Sequence, residues 1–267
     1  MSGSRRRRLR VLPLYRLIPN AITLLALCSG VTGMRFALEQ RWEMAVGAII
    51  LAALLDGLDG RIARLVGSTT KLGAELDSLS DVVSFGVAPA VIVYLWTLHE
   101  LRGFGWAVAL VFAICCALRL ARFNAGLDEE DPPPWSHQYF TGVPAPAGGL
   151  LLLLPLVANF EFETAFFASP WVNVLMAGLV GGLMVSRLPT FSMKGVKIPM
   201  RHAWLTLLGF GAFAAFLLSN LWLTLICTGV IYLGSIFFAY RSFQRLQGQA
   251  DPAEALATPQ TSKDSDD

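Results

Sequence analysis

Apolar runs of about twenty residues, parted by short polar turns, recur along most of the chain. About 20 apolar residues in a helix are enough to cross the hydrocarbon layer of a bilayer. On that basis the pattern predicts eight helical spans, at 18–38, 43–66, 74–98, 103–124, 146–163, 170–187, 203–219 and 221–240. Only Asn220 parts the last two, which read as a tight helical hairpin. Residues 1–17 form a basic juxtamembrane segment with Arg5, Arg6, Arg7, Arg8, Arg10 and Arg16. From 247 to 267 the chain is polar, contains proline and ends acidic, a composition that predicts disorder. The expected fold is all-α: a polytopic transmembrane bundle with a core over 18–200 and an additional hairpin over 201–246.

Composition supports this reading and excludes its rivals. Apolar residues make up 55% of the 267, charged residues 15%, and the mean hydropathy is +0.57; soluble domains carry about 25% charged residues. A soluble enzyme, a disordered scaffold and a secreted disulfide-rich domain are therefore excluded. Cys28, Cys115, Cys116 and Cys227 all fall inside apolar runs and read as packing residues. The basic residues set the orientation. With the N-terminus in the cytoplasm, 18 of the 21 lysines and arginines lie on that side, leaving only Arg35, Arg41 and Arg102 opposite. Both termini are thus expected in the cytoplasm, as an even number of spans requires. The N-terminal arginines suffice as an orientation signal in contact with anionic membrane lipid, and no nucleic acid need be invoked. The seven tryptophans fall mostly at span ends, as an interfacial belt would.

The chemistry concentrates around one polar connection, LLDGLDGRIARLVGSTTKLGAELDSLSDVV. Carboxylates inside spans are costly and mark function. Asp56 and Asp59 share a helix face by their i, i+3 spacing, and Asp77 and Asp81 by i, i+4. A short turn through Gly67 and Thr70 makes the two helices antiparallel neighbours, so both pairs lie at similar depth near the cytoplasmic face. Four facing carboxylates need a compensating charge, and a hard divalent cation such as Mg2+ or Mn2+ supplies it through oxygen ligands. Gly60, Ala63 and Gly73 keep the adjacent surfaces bare, and Arg64 offers a cation for phosphate oxygens. Together these features suggest a pyrophosphate ester held at the membrane surface, where two metals would stabilise a phosphoryl displacement.

The pattern D-x2-D-G-x2-A-R-x8-G-x3-D-x3-D, from Asp56 to Asp81, resembles the signature of the CDP-alcohol phosphotransferases at all eight specified positions. The resemblance implies transfer of a substituted phosphate from a CDP-activated alcohol to a second alcohol, with release of CMP. It implies Asp56, Asp59 and Asp77 as metal ligands, and Asp81 as both a ligand and the general base. Gly60, Ala63, Arg64, Thr70 and Gly73 would line the CDP site, and the Pro19-Asn20-x-x-Thr23 start of span one is similar to the family's cytidine-side element. Further segments resemble one branch, the membrane-embedded phosphatidylserine synthases: Asp77 to Gly86 and on to Pro89, Arg119-Leu-Ala-Arg-Phe-Asn124, Phe140 to Pro146 and Pro189 to Lys194. Val143 stands where that branch usually has Leu. The likeness covers roughly 16–200, and nothing in it assigns chemistry to the last two spans.

What the branch implies is transfer of the phosphatidyl group from CDP-diacylglycerol to L-serine, with Mg2+ or Mn2+, by a homodimer in a bacterial inner membrane whose active site faces the cytoplasm. A zwitterionic acceptor needs a cation for its carboxylate, which Arg119 or Arg122 would supply, with Asn124 and Ser84 close by. The competing reading of the two arginines is snorkelling to the interface. Glycerol 3-phosphate, inositol phosphate or choline are alternative acceptors. A divalent-cation transporter would also need intramembrane carboxylates, but it predicts midplane sites on repeated, broken helices, and no repeat is present. His99, His137 and His202 have no ligand-like neighbours in sequence; Asp128 to Asp131 reads as a solvated loop and Glu75 as a helix-start charge.

Overall fold

The computed structural model describes residues 17–67, 70–126, 139–186, 189–191 and 203–236. The N-terminal arginines, the acidic run, His137, His202 and the tail lie outside them. Helix α1 (Ile18–Leu38) turns through Glu39–Arg41 into α2 (Trp42–Val66). That turn places Gln40 at φ 58°, and Arg35 pairs with Glu39 at 2.9 Å. Gly67 ends α2 at φ 62°, a left-handed residue past the helix end that glycine adopts without steric cost. Thr70 then caps α3 (Lys71–Asp81), its hydroxyl accepting from the Gly73 N–H at 3.0 Å. Thr70 is therefore the reason span three begins at Lys71, three residues before the expected 74.

Helix α3 runs on through a π-helical turn, Val82–Val87, into α4 (Ala88–Trp96). A short 3-10 turn, Leu98–Leu101, leads to α5 (Arg102–Gly126). The expected single span 146–163 is two helices, α6 (Ala145–Leu152) and α7 (Leu154–Phe162), bent by 40° where Pro155 enters the first turn of α7. Helix α8 (Pro170–Val185), α9 (Ala203–Ser219) and α10 (Leu221–Ile236) follow.

Among the described residues, α1, the continuous Lys71–Trp96 span and Leu98–Ala125 are long and apolar enough to cross a membrane, and the bent α6–α7 pair makes a fourth. Helix α2 is long enough but carries Glu43, Asp56, Asp59, Arg61 and Arg64, while α8, α9 and α10 are apolar but shorter. These apolar helices make this a membrane protein. Among the described residues the architecture is helical apart from a short ribbon that departs from the all-α expectation: β1 (Tyr139–Thr141) pairs antiparallel with β2 (Pro189–Phe191), Phe140 opposite Thr190. β-branched and aromatic residues in two connecting segments suit such a ribbon, but their runs are too short to stand out as strands in a sequence.

The chain divides into two compact units, Met1–Asp128 with Pro144–Val185, and Glu129–Val143 with Ser186–Asp267. The first holds every carboxylate of the signature. Its core centres on α1 packed along α2 and on the π-helical turn, around which α1, α5 and α6 gather. Phe85, Phe112, Ile49, Ile92 and Leu152 are fully buried there, while many leucines on α1, α2 and α5 remain exposed, as lipid-facing surfaces would.

Candidate active site

The antiparallel α2 and α3 bring the signature carboxylates together. One oxygen each from Asp56, Asp59 and Asp77 lies within 4.8 Å of the other two. Asp59 is 4% exposed, and Asp77 Oδ1 is buried with no hydrogen-bond partner. A buried, orphaned carboxylate oxygen beside two more carboxylates is the environment a hard cation satisfies. Mg2+ holds its oxygens at about 2.0–2.1 Å, so its ligands lie up to about 4.2 Å apart, and small side-chain rotations close the observed spacing. The three residues fit a divalent cation. Asp81, expected with them, lies outside this triad. Its carboxyl is within hydrogen-bonding reach of Asp56, and the charge of Arg119 acts on both.

Helix α1 braces the carboxylates. Thr23 is buried, and its hydroxyl contacts Asp59 Oδ2 at 2.6 Å and Pro19 O at 3.1 Å. Having one proton, the hydroxyl gives it to the shorter bond, so Thr23 holds Asp59 in place. The family resemblance implies a place for Thr23 on the nucleotide side. The signal that identifies its second role is its burial one helix away from Asp59, which sequence spacing does not reveal. Valine at this position keeps the shape and loses the bond. Outer-shell partners of metal ligands are worth about 10–100-fold in affinity or activity, so Thr23→Val is expected to weaken Mn2+ binding about tenfold, measured by Mn2+ titration with electron paramagnetic resonance. Unchanged affinity would show that the bond has no part in holding the ion.

The remaining candidate residues divide by position. Gly60 is exposed with open space where a side chain would project, and Ala63 is half-buried beside it. Arg64 is exposed and folds back so that Nε donates to Gly60 O at 3.0 Å. Gly73 faces Asn20: a Cβ there would come 2.9 Å from Asn20 Oδ1. Pro19 is buried at the start of α1, with Asn20 half-buried next to it. Gly60, Ala63 and Arg64 thus follow Asp59 on α2, with open space at Gly60.

On α5 the two arginines differ. Arg119 is half-buried, stacks 5.9 Å from the Phe123 ring and faces the carboxylates electrostatically. Arg122 is exposed, and its Nη1 donates to Val185 O at 2.7 Å, satisfying a carbonyl at the C-terminal end of α8. Asn124 Nδ2 donates to Ser78 Oγ at 2.9 Å, and Ser78 in turn donates to Ala74 O at 3.1 Å, tying α5 to α3 beside Asp77. Ser84 is wholly buried with its hydroxyl directed to Ala26 O at 3.4 Å.

Fold and carboxylate cluster together define a helical membrane protein with a candidate site for a divalent cation. The chain matches the profile of the CDP-alcohol phosphatidyltransferase family over residues 16–182 and belongs to that family. Among its relatives is a CDP-diacylglycerol–serine O-phosphatidyltransferase from Mycobacterium leprae, 38% identical over 84% of this chain and 74% of that protein. The protein of that name from Mycobacterium tuberculosis is 38% identical over 85% of this chain and 79% of its own. One from Helicobacter pylori is 36% identical over 69% of this chain and 76% of its own.

Proposed function

We propose that this protein transfers the phosphatidyl group of CDP-diacylglycerol to the hydroxyl of L-serine, giving phosphatidylserine and CMP. The observation that carries the reading is the complete signature on α2 and α3 in a chain 38% identical, over 84% of its length, to a relative named for that reaction. Asp56, Asp59, Asp77 and Asp81 would hold one or two divalent cations, Mg2+ or Mn2+, which when bound offset the carboxylate charge and stabilise charge on the pyrophosphate. Gly60, Ala63 and Gly73 leave room for the nucleotide, Arg64 reaches its phosphates, and Pro19, Asn20, Thr23 and Thr70 border the same side. The serine oxygen bonds to the phosphorus that carries diacylglycerol while Asp81 accepts the hydroxyl proton. The bond from that phosphorus to the bridging oxygen breaks, and CMP leaves with the electron pair. Arg119, already facing Asp56 and Asp81, is the better placed of the two arginines to receive the serine carboxylate. Arg122 and Asn124 on α5 and Ser84 in the π-helical turn would support the site by tying those segments to α8, α3 and α1. The test is purified protein with CDP-diacylglycerol and Mn2+, offered serine, glycerol 3-phosphate, inositol phosphate or choline in turn. CMP release with serine alone is expected; release with another alcohol and none with serine overturns the assignment.

The proposal extends to eight crossings with both termini in the cytoplasm, residues 18–200 as the catalytic core, an added hairpin over 201–246, and a homodimer in a bacterial inner membrane. The distribution of 18 of 21 basic residues supports this orientation. It places the site on the side where nucleotide and serine are supplied. In a background without the native cysteines, Lys71→Cys is expected to react with an impermeant thiol reagent only from the cytoplasmic side, and Glu100→Cys only from outside. The reverse pattern overturns the orientation.

A further inference from the structure

The π-helical turn begins at the residue after Asp81, and its cause is visible in the chain. Pro89 has no N–H, so the carbonyl four residues back, Phe85 O, loses its α-helical donor. The helix widens, and the Ala88 N–H donates to Val83 O, five residues back. Three successive residues of the turn, Ser84, Phe85 and Gly86, are all buried, although successive helical residues point about 100° apart. They are buried because a different helix closes on each. A Cβ on Gly30 of α1 would lie 2.7 Å from Ser84 Oγ and 2.8 Å from Ser84 Cα. A Cβ on Gly149 of α6 would lie 2.9 Å from Phe85 O, and one on Gly86 would lie 3.0 Å from Cys116 Cβ on α5. The contacts of Gly30 and Gly149 reach backbone, which cannot rotate out of the way.

Helix α1 also grips this span on either side of Asp81. Ser80 Oγ donates to Thr23 O at 3.2 Å, and Ser84 Oγ to Ala26 O at 3.4 Å. Asp81 therefore lies between two hydroxyl-to-carbonyl bonds to one face of α1, the helix that also orients Asp59 through Thr23. We infer that the π-helical turn, seated by Gly30 and Gly149, fixes the direction of the Asp81 carboxyl, which makes these two glycines positioning residues for the transfer step. The inference rests on the reading of Asp81 as general base.

The test compares full-length Gly30→Ala, Gly149→Ala, Ser84→Ala and Asp81→Asn in lipid nanodiscs. The measurements are kcat, the KM for CDP-diacylglycerol, Mn2+ affinity and thermal stability. A displacement of about 1 Å at a reacting group costs on the order of 100-fold in rate. Gly30→Ala and Gly149→Ala are expected to lower kcat by about that factor, with KM and Mn2+ affinity within about threefold of the parent. If the added methyls prevent folding, Ser84→Ala decides, since it removes a hydroxyl and adds no bulk. It is expected to lower kcat about fivefold at unchanged Mn2+ affinity, by the loss of one buried hydrogen bond. Unchanged kcat in the folded variants overturns the inference, as does a parallel fall of kcat, metal affinity and stability, the mark of packing alone. Active Asp81→Asn would instead overturn the reading on which the inference stands; inactive Asp81→Asn beside normal glycine variants would remove only the inference.

Discussion

Asp81→Asn is expected to bind CDP-diacylglycerol and yet lose nearly all transfer, by about 10²–10⁴ in the single-turnover rate, the range a positioned general base contributes. A serine hydroxyl is a weak nucleophile until a neighbouring group takes its proton as the new bond to phosphorus forms. Asp81 is suited to that role by its place. It adjoins the oxygen triad of Asp56, Asp59 and Asp77 within reach of Asp56, it is 9% exposed, and the charge of Arg119 acts on it. Asparagine keeps the size and the hydrogen-bonding reach toward Asp56 but cannot accept the proton. Binding of CDP-diacylglycerol and a single turnover of CMP release are measured on one preparation. A near-normal single-turnover rate would remove Asp81 from the role of base.

Asp77→Asn is expected to be at least as damaging, for a different reason. Its Oδ1 is buried and unpaired, with Asp56 and Asp59 as its charged neighbours. An amide at this point removes a ligand charge and presents an N–H₂ group that repels a cation. Metal-ion stabilisation is worth several kcal/mol at a transferring phosphoryl group, and each 1.4 kcal/mol is tenfold, so a loss of more than about 10³ in rate is expected. Chelation of the wild-type protein should abolish turnover, added Mn2+ should restore it, and Asp77→Asn should need far more Mn2+ than the parent. Substantial turnover after chelation, or wild-type Mn2+ demand in the variant, would contradict a role for the triad in holding the ion.

The boundaries of α1 and α2 were legible because each is a largely apolar stretch with a recognisable end: Pro19 at the start of one, Gly67 at the close of the other. The pairing of Asp56/Asp59 with Asp77 followed from helical spacing and a short turn, both local properties. What escaped depends on contacts between distant segments. Pro89 and Pro155 were present as signals in the runs, but hydropathy averages over them, so the π-helical turn and the 40° bend read as straight spans. The β1–β2 ribbon joins segments some fifty residues apart, and no local pattern of three residues announces that. Arg122 illustrates the same limit: its partner is the Val185 carbonyl, 63 residues away, and an arginine near a span end looks alike in sequence whether it meets a substrate or a helix terminus.

The central claim is a direct displacement, in which serine attacks phosphorus while Asp81 takes its proton and no covalent phosphatidyl-enzyme forms. Isotope exchange tests it most directly. The purified protein, CDP-diacylglycerol and Mn2+ are incubated with radiolabelled CMP, first without serine and then with it. The account predicts no label in CDP-diacylglycerol while serine is absent, because CMP cannot leave before an acceptor attacks. Rapid exchange without serine would mean that a protein group had taken the phosphatidyl group first, which contradicts the account.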